Sequence, residues 1–409
     1  MKSPRILFLI LFTLFFLTCQ KEDVERTQIQ FEESQTDSNF IDIDDIKEIA
    51  ESISFSKAKN HTHLKRSHKK KVAEVTPVGS NKKKPSYYII NYEGGGYMVL
   101  TSDKRAIPVL AYSNQGYFDT KSKSYPSLLV EWLESQDEYI QVLRKDEYTD
   151  EIIIIPDEEW TTEHIEDFIN TSSSSQNKRG SGANIKLKIQ YGPLLSTSWG
   201  QHKGFNNHAP NLGCKEDLNG KAPAGCVATA MAQIMKYHEY PSNYQWSLMP
   251  DDKGSNETSK LIKDIGDAVN MKWKCGGSGA SMNDVPSAFT TDFKYSSANL
   301  GDFSPETTLN ELKNGYPVII SGGEKKVKWL FFNVFENGHA WICDGIREYT
   351  GSVRARVTRY GYISTPVRAY TYRINWGWDG WYDGWFSSGW NVNGYTFDYK
   401  NKMIHNIRE

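Results

Sequence analysis

The hydrophobic pattern begins with a single apolar run at the N-terminus and is then interrupted. Basic residues precede this run, which extends from Ile6 to Leu17 and is too short to span a bilayer. The residues that follow are polar and charged and show no apolar periodicity. The pattern therefore predicts a cleavable secretory signal over residues 1–18 and a tether over residues 19–39.

The next region shows both helical and strand periodicity. Isoleucines between Ile41 and Ile53 follow helical spacing and predict an amphipathic helix. From Tyr87 to Leu100 the spacing is that of two strands on either side of a glycine turn, which predicts a hairpin. A second helix is expected from Leu128 to Leu143. Residues 40–150 are therefore predicted to form a small α+β domain.

A change of composition separates this domain from the rest of the chain. The stretch from Thr171 to Gly182 is rich in Ser, Asn, Lys and Gly, which is typical of an exposed flexible linker and of sites of proteolysis. We therefore expect a linker over residues 151–184 that contains an activation cleavage, with Lys178–Arg179 as a candidate position. Residues 185–409 would form a second, aromatic-rich domain.

Composition and charge narrow the function. A chain of 409 residues with 38% hydrophobic and 13% aromatic residues can form two folded units with sizeable cores. A net charge of -2 gives no overall basic field, so nucleic acid is not expected as a partner. None of the five cysteines forms a CxxC pair, so no metal site is expected. Without Cys19 four remain, which is compatible with disulfides in an exported protein, but the pairing of Cys214 with Cys275 stays open.

Cys226 stands at the start of a predicted helix. Pro223 to Gly225 break the chain just before it, and apolar residues at 227, 230, 231, 234 and 235 share one helical face. The amides and dipole of a helix N-terminus favour a thiolate, which makes the sulfur nucleophilic. The alternative interpretation is a buried structural cysteine in a well-packed helix.

A nucleophilic thiolate needs a histidine that is distant in sequence and adjacent in the fold. His339 fits because a glycine precedes it and the following residues, up to Gly345, have the pattern of a strand. The alternative is a histidine satisfied at a strand edge. Other histidines lie in a basic loop, in the linker region or at the end of the cysteine helix: His61, His63, His68, His164 and His238.

A third motif is the tryptophan-rich and glycine-rich segment from Ile374 to Phe386. Its tryptophans could simply form the core of a packed hairpin. Asn375 is the candidate functional residue, because an amide can orient an imidazole for proton transfer.

Together these stretches resemble the streptopain family, a branch of the papain-like cysteine peptidases. The resemblance is carried by Gly225–His238, Gly338–Ala340 and Asn375–Trp378, in the papain order Cys, His, Asn. The stretch from Tyr87 to Ala106 resembles the propeptide and inhibitor module of the same family. The resemblance implies an α+β papain-like peptidase domain, with a helical part and an antiparallel β part, behind a small inhibitory prodomain.

Further expectations follow from the resemblance. Gln201 stands where papain-like enzymes place the glutamine of the oxyanion hole, and no cofactor is implied. The resemblance leaves open whether Asn375 or the tryptophan-rich segment orients His339. The chain departs from the family between Asp344 and Asn375, which we interpret as a lengthened hairpin near the cleft rim. Leu17-Thr18-Cys19 resembles a bacterial lipobox, which implies membrane attachment through lipidated Cys19 at the outer membrane or cell surface. Cleavage of the linker would separate the mature enzyme from Cys19 and release it.

The resulting hypothesis is a secreted cysteine endopeptidase zymogen that acts on proteins or peptides. Its own propeptide would act as an intramolecular inhibitor until the linker is cut. Two alternatives stay open: a different thiol acyltransferase or amidase, such as a cell-wall peptide hydrolase, and a surface-anchored binding lipoprotein with an inactive peptidase fold.

Overall fold

A computed structural model describes most of the chain beyond the predicted tether. The described residues are 37–56, 67–122, 125–145, 153–155, 160–170, 186–215, 218–322, 328–329, 332–333, 339–357, 361–387 and 401–409. The predicted signal, Cys19 and the candidate cleavage position Lys178–Arg179 lie outside these residues. Within them, no helix is both long enough and apolar enough to cross a membrane.

Seven α-helices and sixteen strands lie in the described ranges. The helices are α1 (Ile43–Ser52), α2 (Ser127–Lys145), α3 (Thr162–Asn170), α4 (Cys226–His238), α5 (Asn256–Ala268), α6 (Val285–Ser287) and α7 (Pro305–Lys313). The strands are β1 (Ser54–Ser56), β2 (Ser67–Lys69), β3 (Val72–Val78), β4 (Tyr87–Tyr92), β5 (Tyr97–Thr101), β6 (Val109–Ser113), β7 (Ile153–Ile155), β8 (Lys186–Tyr191), β9 (Ser297–Asp302), β10 (Val318–Gly322), β11 (Lys328–Trp329), β12 (Phe332–Asn333), β13 (His339–Val357), β14 (Gly361–Asn375), β15 (Gly384–Ser387) and β16 (Lys402–Arg408).

The N-terminal domain has the predicted helix, hairpin and second helix. The isoleucine-rich helix is α1, and the side chain of Asp42 accepts the free amides of its first turn. The hairpin is β4–β5, whose register pairs Tyr87 with Thr101 and Asn91 with Tyr97. Buried aromatic and aliphatic side chains on both faces of these strands form the core of the domain.

The predicted linker over residues 151–184 is too long. Residues 153–155 form β7, which pairs with β13, and residues 162–170 form α3. The side chains of Ile165 and Ile169 on α3 are buried in one core cluster with Tyr112 of β6. The Ser-rich residues after α3 obscure its apolar spacing in the sequence. Residues 171–185 lie outside the described residues.

One antiparallel sheet runs through both domains. Its strand order is β3-β4-β5-β6-β15-β14-β13-β10-β16-β9. The junction is the pairing of β6 with β15, in which Tyr112 lies opposite Trp385 and Ala111 opposite Phe386. Since β15 belongs to the tryptophan-rich segment, the N-terminal domain is joined directly to a part of the chain that the sequence predicts to belong to an active site.

The lengthened hairpin is formed by β13 and β14, and its place relative to the cleft rim stays a prediction. Its register runs from Ile342 opposite Asn375 to Val357 opposite Gly361. At a rise of about 3.3 Å per residue, its tip lies roughly 60 Å along the strand from His339. The distal part of β13 pairs with β7 and β8. The hairpin therefore leads away from His339.

Helix α4 lies in the hydrophobic core of the C-terminal domain. Its residues from Cys226 to Met235 are all buried, and they pack in one cluster with α5 and with apolar residues of β10, β13 and β16. This packing brings the N-terminus of α4 towards the beginning of β13, where His339 lies.

Candidate active site

Cys226 is the first residue of α4, and a constrained glycine precedes it. Gly225 has φ +85°, a conformation that L side chains rarely adopt. A Cβ atom at this position would lie 2.9 Å from Met271 Cε and 3.0 Å from the Ser278 carbonyl oxygen. Glycine is therefore required here, and the turn it forms places the thiol at the end of the helix where the free amides lie.

The thiol of Cys226 interacts with the imidazole of His339. Burial by itself raises the pKa of the Cys226 thiol, but the charge of His339, its hydrogen bond and the amides of Ala340 and Val227 outweigh burial and lower that pKa. Burial lowers the pKa of His339, but the charge of Cys226, their hydrogen bond and the Trp376 carbonyl outweigh it and raise that pKa. Both shifts favour a thiolate–imidazolium pair.

The imidazole of His339 is held by the tryptophan-rich segment. Its Nε2 donates to the backbone carbonyl oxygen of Trp376 over 3.0 Å. The ring of Trp341 lies nearly parallel to it, with centroids 6.3 Å apart, and the ring of Trp378 stands edge-on at 6.1 Å. With Nε2 on the carbonyl, the second ring nitrogen is available to the thiol.

The predicted contact between the Asn375 amide and the imidazole is wrong. The side chain of Asn375 is buried and donates to the Thr197 carbonyl at 2.8 Å and to Gln233 at 3.1 Å. Its oxygen accepts from the backbone amide of Gly377 at 3.0 Å. His339 instead bonds to the backbone carbonyl of Trp376, the residue after Asn375. A backbone partner cannot be recognised from the identity of a side chain, which is the reason for the error.

Gln201 lies next to the segment that precedes the nucleophile. Its carbonyl oxygen accepts from the Ala224 amide at 2.8 Å, which ties its backbone to the Gly225 turn. Its side-chain amide donates to the Gly377 carbonyl at 3.5 Å. The structure thus brings Gln201, Cys226 and His339 into one region, and the oxyanion role of Gln201 stays a prediction.

Sequence reasoning missed two buried side chains beside the site. Asp383 accepts from the Trp376 amide at 2.8 Å, and burial raises its pKa to about 7 although Arg373 opposes this. Gln233 is fully buried on α4, seven residues after Cys226, and bonds to Asn375. A polar residue within the apolar pattern of α4 was the available signal for Gln233.

The other described cysteines have different roles. Cys214 and Cys275 form a disulfide with Cα atoms 5.2 Å apart, which settles the open pairing. Cys343 is a free, buried thiol within β13, and burial raises its pKa far above that of an exposed thiol. Among the described cysteines, only Cys226 combines a free thiol with a lowered pKa.

Two sequence families match the domains. The Peptidase C10 family matches residues 199–246 and 242–386. The Spi protease inhibitor family matches residues 39–140. Residues 199–386 belong to the Peptidase C10 family. The protein is a cysteine peptidase with an inhibitor propeptide ahead of the catalytic domain, which confirms the streptopain resemblance and the zymogen organisation.

Relatives and a solved structure agree with this assignment. Streptopain of Streptococcus pyogenes serotype M1 is 25% identical over 351 residues, which cover 73% of each chain. The thiol protease/hemagglutinin PrtT of Porphyromonas gingivalis is 24% identical over 73% of this C10 peptidase and 33% of PrtT. A fragment of prointerpain A from Prevotella intermedia is 22% identical, has a TM-score of 0.51 and covers 82% of this chain and 99% of the fragment. This likeness confirms the papain-like fold with its prodomain.

Proposed function

We propose that this C10 peptidase is an exported zymogen of a cysteine endopeptidase, with Cys226 as nucleophile and His339 as general acid and base. The observation that carries the proposal is the pair they form: a buried thiol with a lowered pKa against a partly buried imidazole with a raised pKa. Opposed shifts of this kind are characteristic of catalytic thiolates. The buried Cys343, with its raised pKa, shows that burial alone gives the reverse.

The proposed reaction is acyl transfer from a peptide to water. The Cys226 sulfur attacks the carbonyl carbon, and the electron pair of the carbonyl bond moves to oxygen. Gln201 and the backbone amide of Cys226 stabilise this oxyanion. The His339 imidazolium then protonates the leaving amine, and the peptide C–N bond breaks. Neutral His339 then takes a proton from water while the water oxygen bonds to the acyl carbon. The C–S bond breaks, which releases the carboxylic acid and regenerates the Cys226 thiolate beside the His339 imidazolium.

The prodomain contacts support inhibition at the tryptophan-rich segment. Besides the pairing of β6 with β15, the hydroxyl of Tyr97 donates to the Tyr382 carbonyl at 2.7 Å, and the indole of Trp132 donates to the Ser387 carbonyl at 3.0 Å. These bonds join the prodomain to the residues that follow Trp376. We infer that cleavage between α3 and β8, within residues 171–185, frees the peptidase while α3 stays with the prodomain.

Export and lipidation belong to the same proposal. They are supported by the apolar run that precedes Cys19 and by the lipobox-like Leu17-Thr18-Cys19. A lipid on Cys19 would hold the precursor at the bacterial outer membrane or cell surface, and cleavage after α3 would release the enzyme. Fractionation of cells that express wild type or Cys19→Ser tests this. Release of uncut precursor by Cys19→Ser is expected, and identical membrane retention of the variant would contradict lipidation.

The decisive test of the function is self-processing. Purified precursor without the signal peptide is incubated under reducing conditions beside Cys226→Ala, with Cys343→Ala as the matched cysteine control. Gel and mass spectrometry should show that wild type and Cys343→Ala shorten near residues 171–190 while Cys226→Ala stays intact. Absence of processing, together with no labelling of Cys226 by an epoxide peptide mimic, would favour a binding lipoprotein with an inactive fold.

A further inference from the structure

Gln233 is a fully buried polar side chain on the helix that begins with Cys226. It lies on α4 among apolar neighbours such as Ile234, and it has no solvent exposure. A buried primary amide must satisfy two N–H donors and an oxygen acceptor or lose free energy. The partners of Gln233 are therefore informative.

Gln233 and Asn375 form a reciprocal pair of amides. The Nε2 of Gln233 donates to Asn375 Oδ1 at 3.2 Å, and the Nδ2 of Asn375 donates to Gln233 Oε1 at 3.1 Å. The same Oε1 accepts from the backbone amide of Trp199 at 3.1 Å. Gln233 thus joins α4 to two chain segments that are distant in sequence.

Each of these segments leads to a different catalytic group. Asn375 Oδ1 accepts from the Gly377 amide at 3.0 Å, and the carbonyl of that same peptide group, on Trp376, accepts from His339 Nε2 at 3.0 Å. Trp199 is two residues before Gln201. One side chain therefore connects the helix of the nucleophile, the anchor of the base and the segment of the predicted oxyanion glutamine.

We propose that Gln233 is a positioning residue of the peptidase: its amide pair with Asn375 fixes the Trp376 carbonyl, and through it His339, relative to the N-terminus of α4. This inference rests on the proposed function of Cys226 and His339. Gln233 itself touches neither reacting atom, so it acts only through Asn375 and the Trp376–Gly377 peptide group.

The chain of bonds also affects the basicity of His339. Because the Gly377 N–H donates to Asn375 Oδ1, the Trp376 carbonyl of the same peptide group becomes a stronger acceptor, since hydrogen bonds in a chain polarise one another in a medium of low dielectric constant. A stronger acceptor on Nε2 favours the imidazolium and hence the thiolate opposite it. Loss of Gln233 should therefore change the ionisation of Cys226 as well as the geometry of the site.

The test compares Gln233→Met, which has similar length and no amide, with Thr258→Val. Thr258 is a buried polar residue of α5 whose hydroxyl bonds with Ser255, outside the amide network. Each precursor is cut by tagged wild-type enzyme, which is then removed. The rate of Cys226 alkylation by iodoacetamide is measured from pH 5 to 10 together with kcat and KM, and alkylation of the buried Cys343 reports any unfolding.

We expect Gln233→Met to lower kcat on the order of 100-fold with little change in KM, because a displaced base costs catalysis more than binding. Its Cys226 should react about tenfold more slowly at pH 6 and approach the wild-type rate near pH 9, since one unit of thiol pKa changes the thiolate fraction about tenfold. Thr258→Val should follow wild type. A folded Gln233→Met variant with the wild-type profile and kcat would overturn the proposal.

If alkylation of Cys343 shows that the Gln233→Met variant is unfolded, the Gln233→Glu variant is used to test the proposal instead. An ionised glutamate still accepts from Trp199 and Asn375 but cannot donate to Asn375 Oδ1. We expect its kcat loss to grow as pH rises through the ionisation of the new carboxyl, and a pH profile identical to wild type would contradict the proposal. Failure of the underlying function looks different, because wild-type Cys226 would then itself be unreactive at pH 6.

Discussion

The N-terminus of α4 and the interior of β13 each hold a free, buried cysteine, and the two thiols differ in ionisation. Cys226 is 9% exposed and Cys343 is 0% exposed. The pKa of Cys226 is lowered, whereas burial and the charge of Asp344 raise the pKa of Cys343. The Cys343 thiol donates to the Gly345 carbonyl at 3.4 Å. The hydrogen bond with Gly345 and the charge of Arg373 lower the pKa of Cys343, but they do not outweigh burial.

The comparison shows what makes a buried cysteine reactive. Burial disfavours the thiolate at both sites, so reactivity depends on groups that stabilise the anion. Cys226 has the His339 imidazolium and two backbone amides, while Cys343 has a carboxylate neighbour on its strand. The two cysteines therefore differ in thiol pKa because Cys226 alone of the two lies at a helix N-terminus opposite a histidine.

The largest expected effect on peptidase activity comes from substituting each of the two free cysteines in turn. Cys226→Ala should reduce peptidase activity by roughly 10⁴-fold or more, because no other group can form the acyl-enzyme. Cys343→Ala should keep activity within about threefold and cost about 1 kcal/mol of stability for the lost packing. Activity on a peptide substrate and urea unfolding measure both. Equal losses of activity in the two variants would end the distinction.

The next effect concerns the base. His339→Gln removes both the proton donor and the positive charge that lowers the Cys226 pKa, so kcat should fall about 10³-fold. In wild type, kcat/KM should rise with pH through the lowered pKa of the pair and fall through the raised one, as imidazolium is lost. In the variant, the remaining rate should increase only at higher pH, where the thiol ionises unaided. An unshifted acid limb in the pH profile of His339→Gln would contradict the pairing.

These effects concern residues that the sequence identified, and the reason is local. Cys226 and His339 follow chain-breaking residues at the start of a regular element, a pattern visible in a short window. The acceptor of the His339 proton is the Trp376 backbone carbonyl, which no side-chain identity specifies. Asn375 was chosen for a direct contact that the structure replaces by a relay through Gly377.

The fold, like the site, could be predicted only where the signal lies within a short segment of the sequence. The helix α1, the β4–β5 hairpin and α4 follow from apolar periodicity within each segment. The pairing of β6 with β15 joins residues near 112 to residues near 385, and periodicity cannot name a strand's distant partner. The docking of α3 against Tyr112 is a second long-range contact of this kind, and it becomes apparent only in three dimensions.

A smaller effect tests the turn that places the nucleophile. Gly225→Ala introduces a Cβ close to Met271 and Ser278 at φ +85°, so the N-terminus of α4 must shift. We expect kcat to fall on the order of tenfold because the thiol moves relative to His339. Gly276→Ala is the matched control, since a Cβ there meets nothing within 4 Å. Comparable kinetics for the two variants would show that the turn does not position the thiol.

The smallest effect on activity is expected at the third kind of cysteine. Cys214→Ser with Cys275→Ser opens a disulfide with a sequence separation of 61, which should cost roughly 2–4 kcal/mol of stability. Reactivity of Cys226 at 25 °C should stay unchanged, because neither cysteine contributes to its lowered pKa. Thermal unfolding and alkylation rates check this. A shifted Cys226 pH profile would show that the disulfide also supports the site.

The most direct test of the central claim is alkylation of Cys226 and Cys343 in one sample of processed enzyme, followed by mass spectrometry of the separate peptides from pH 5 to 10. The account predicts rapid modification of Cys226 at pH 6, lost in His339→Gln, while Cys343 stays unmodified until the protein unfolds. Modification of Cys226 only around the pH at which a free thiol ionises, about 8.5, would contradict it.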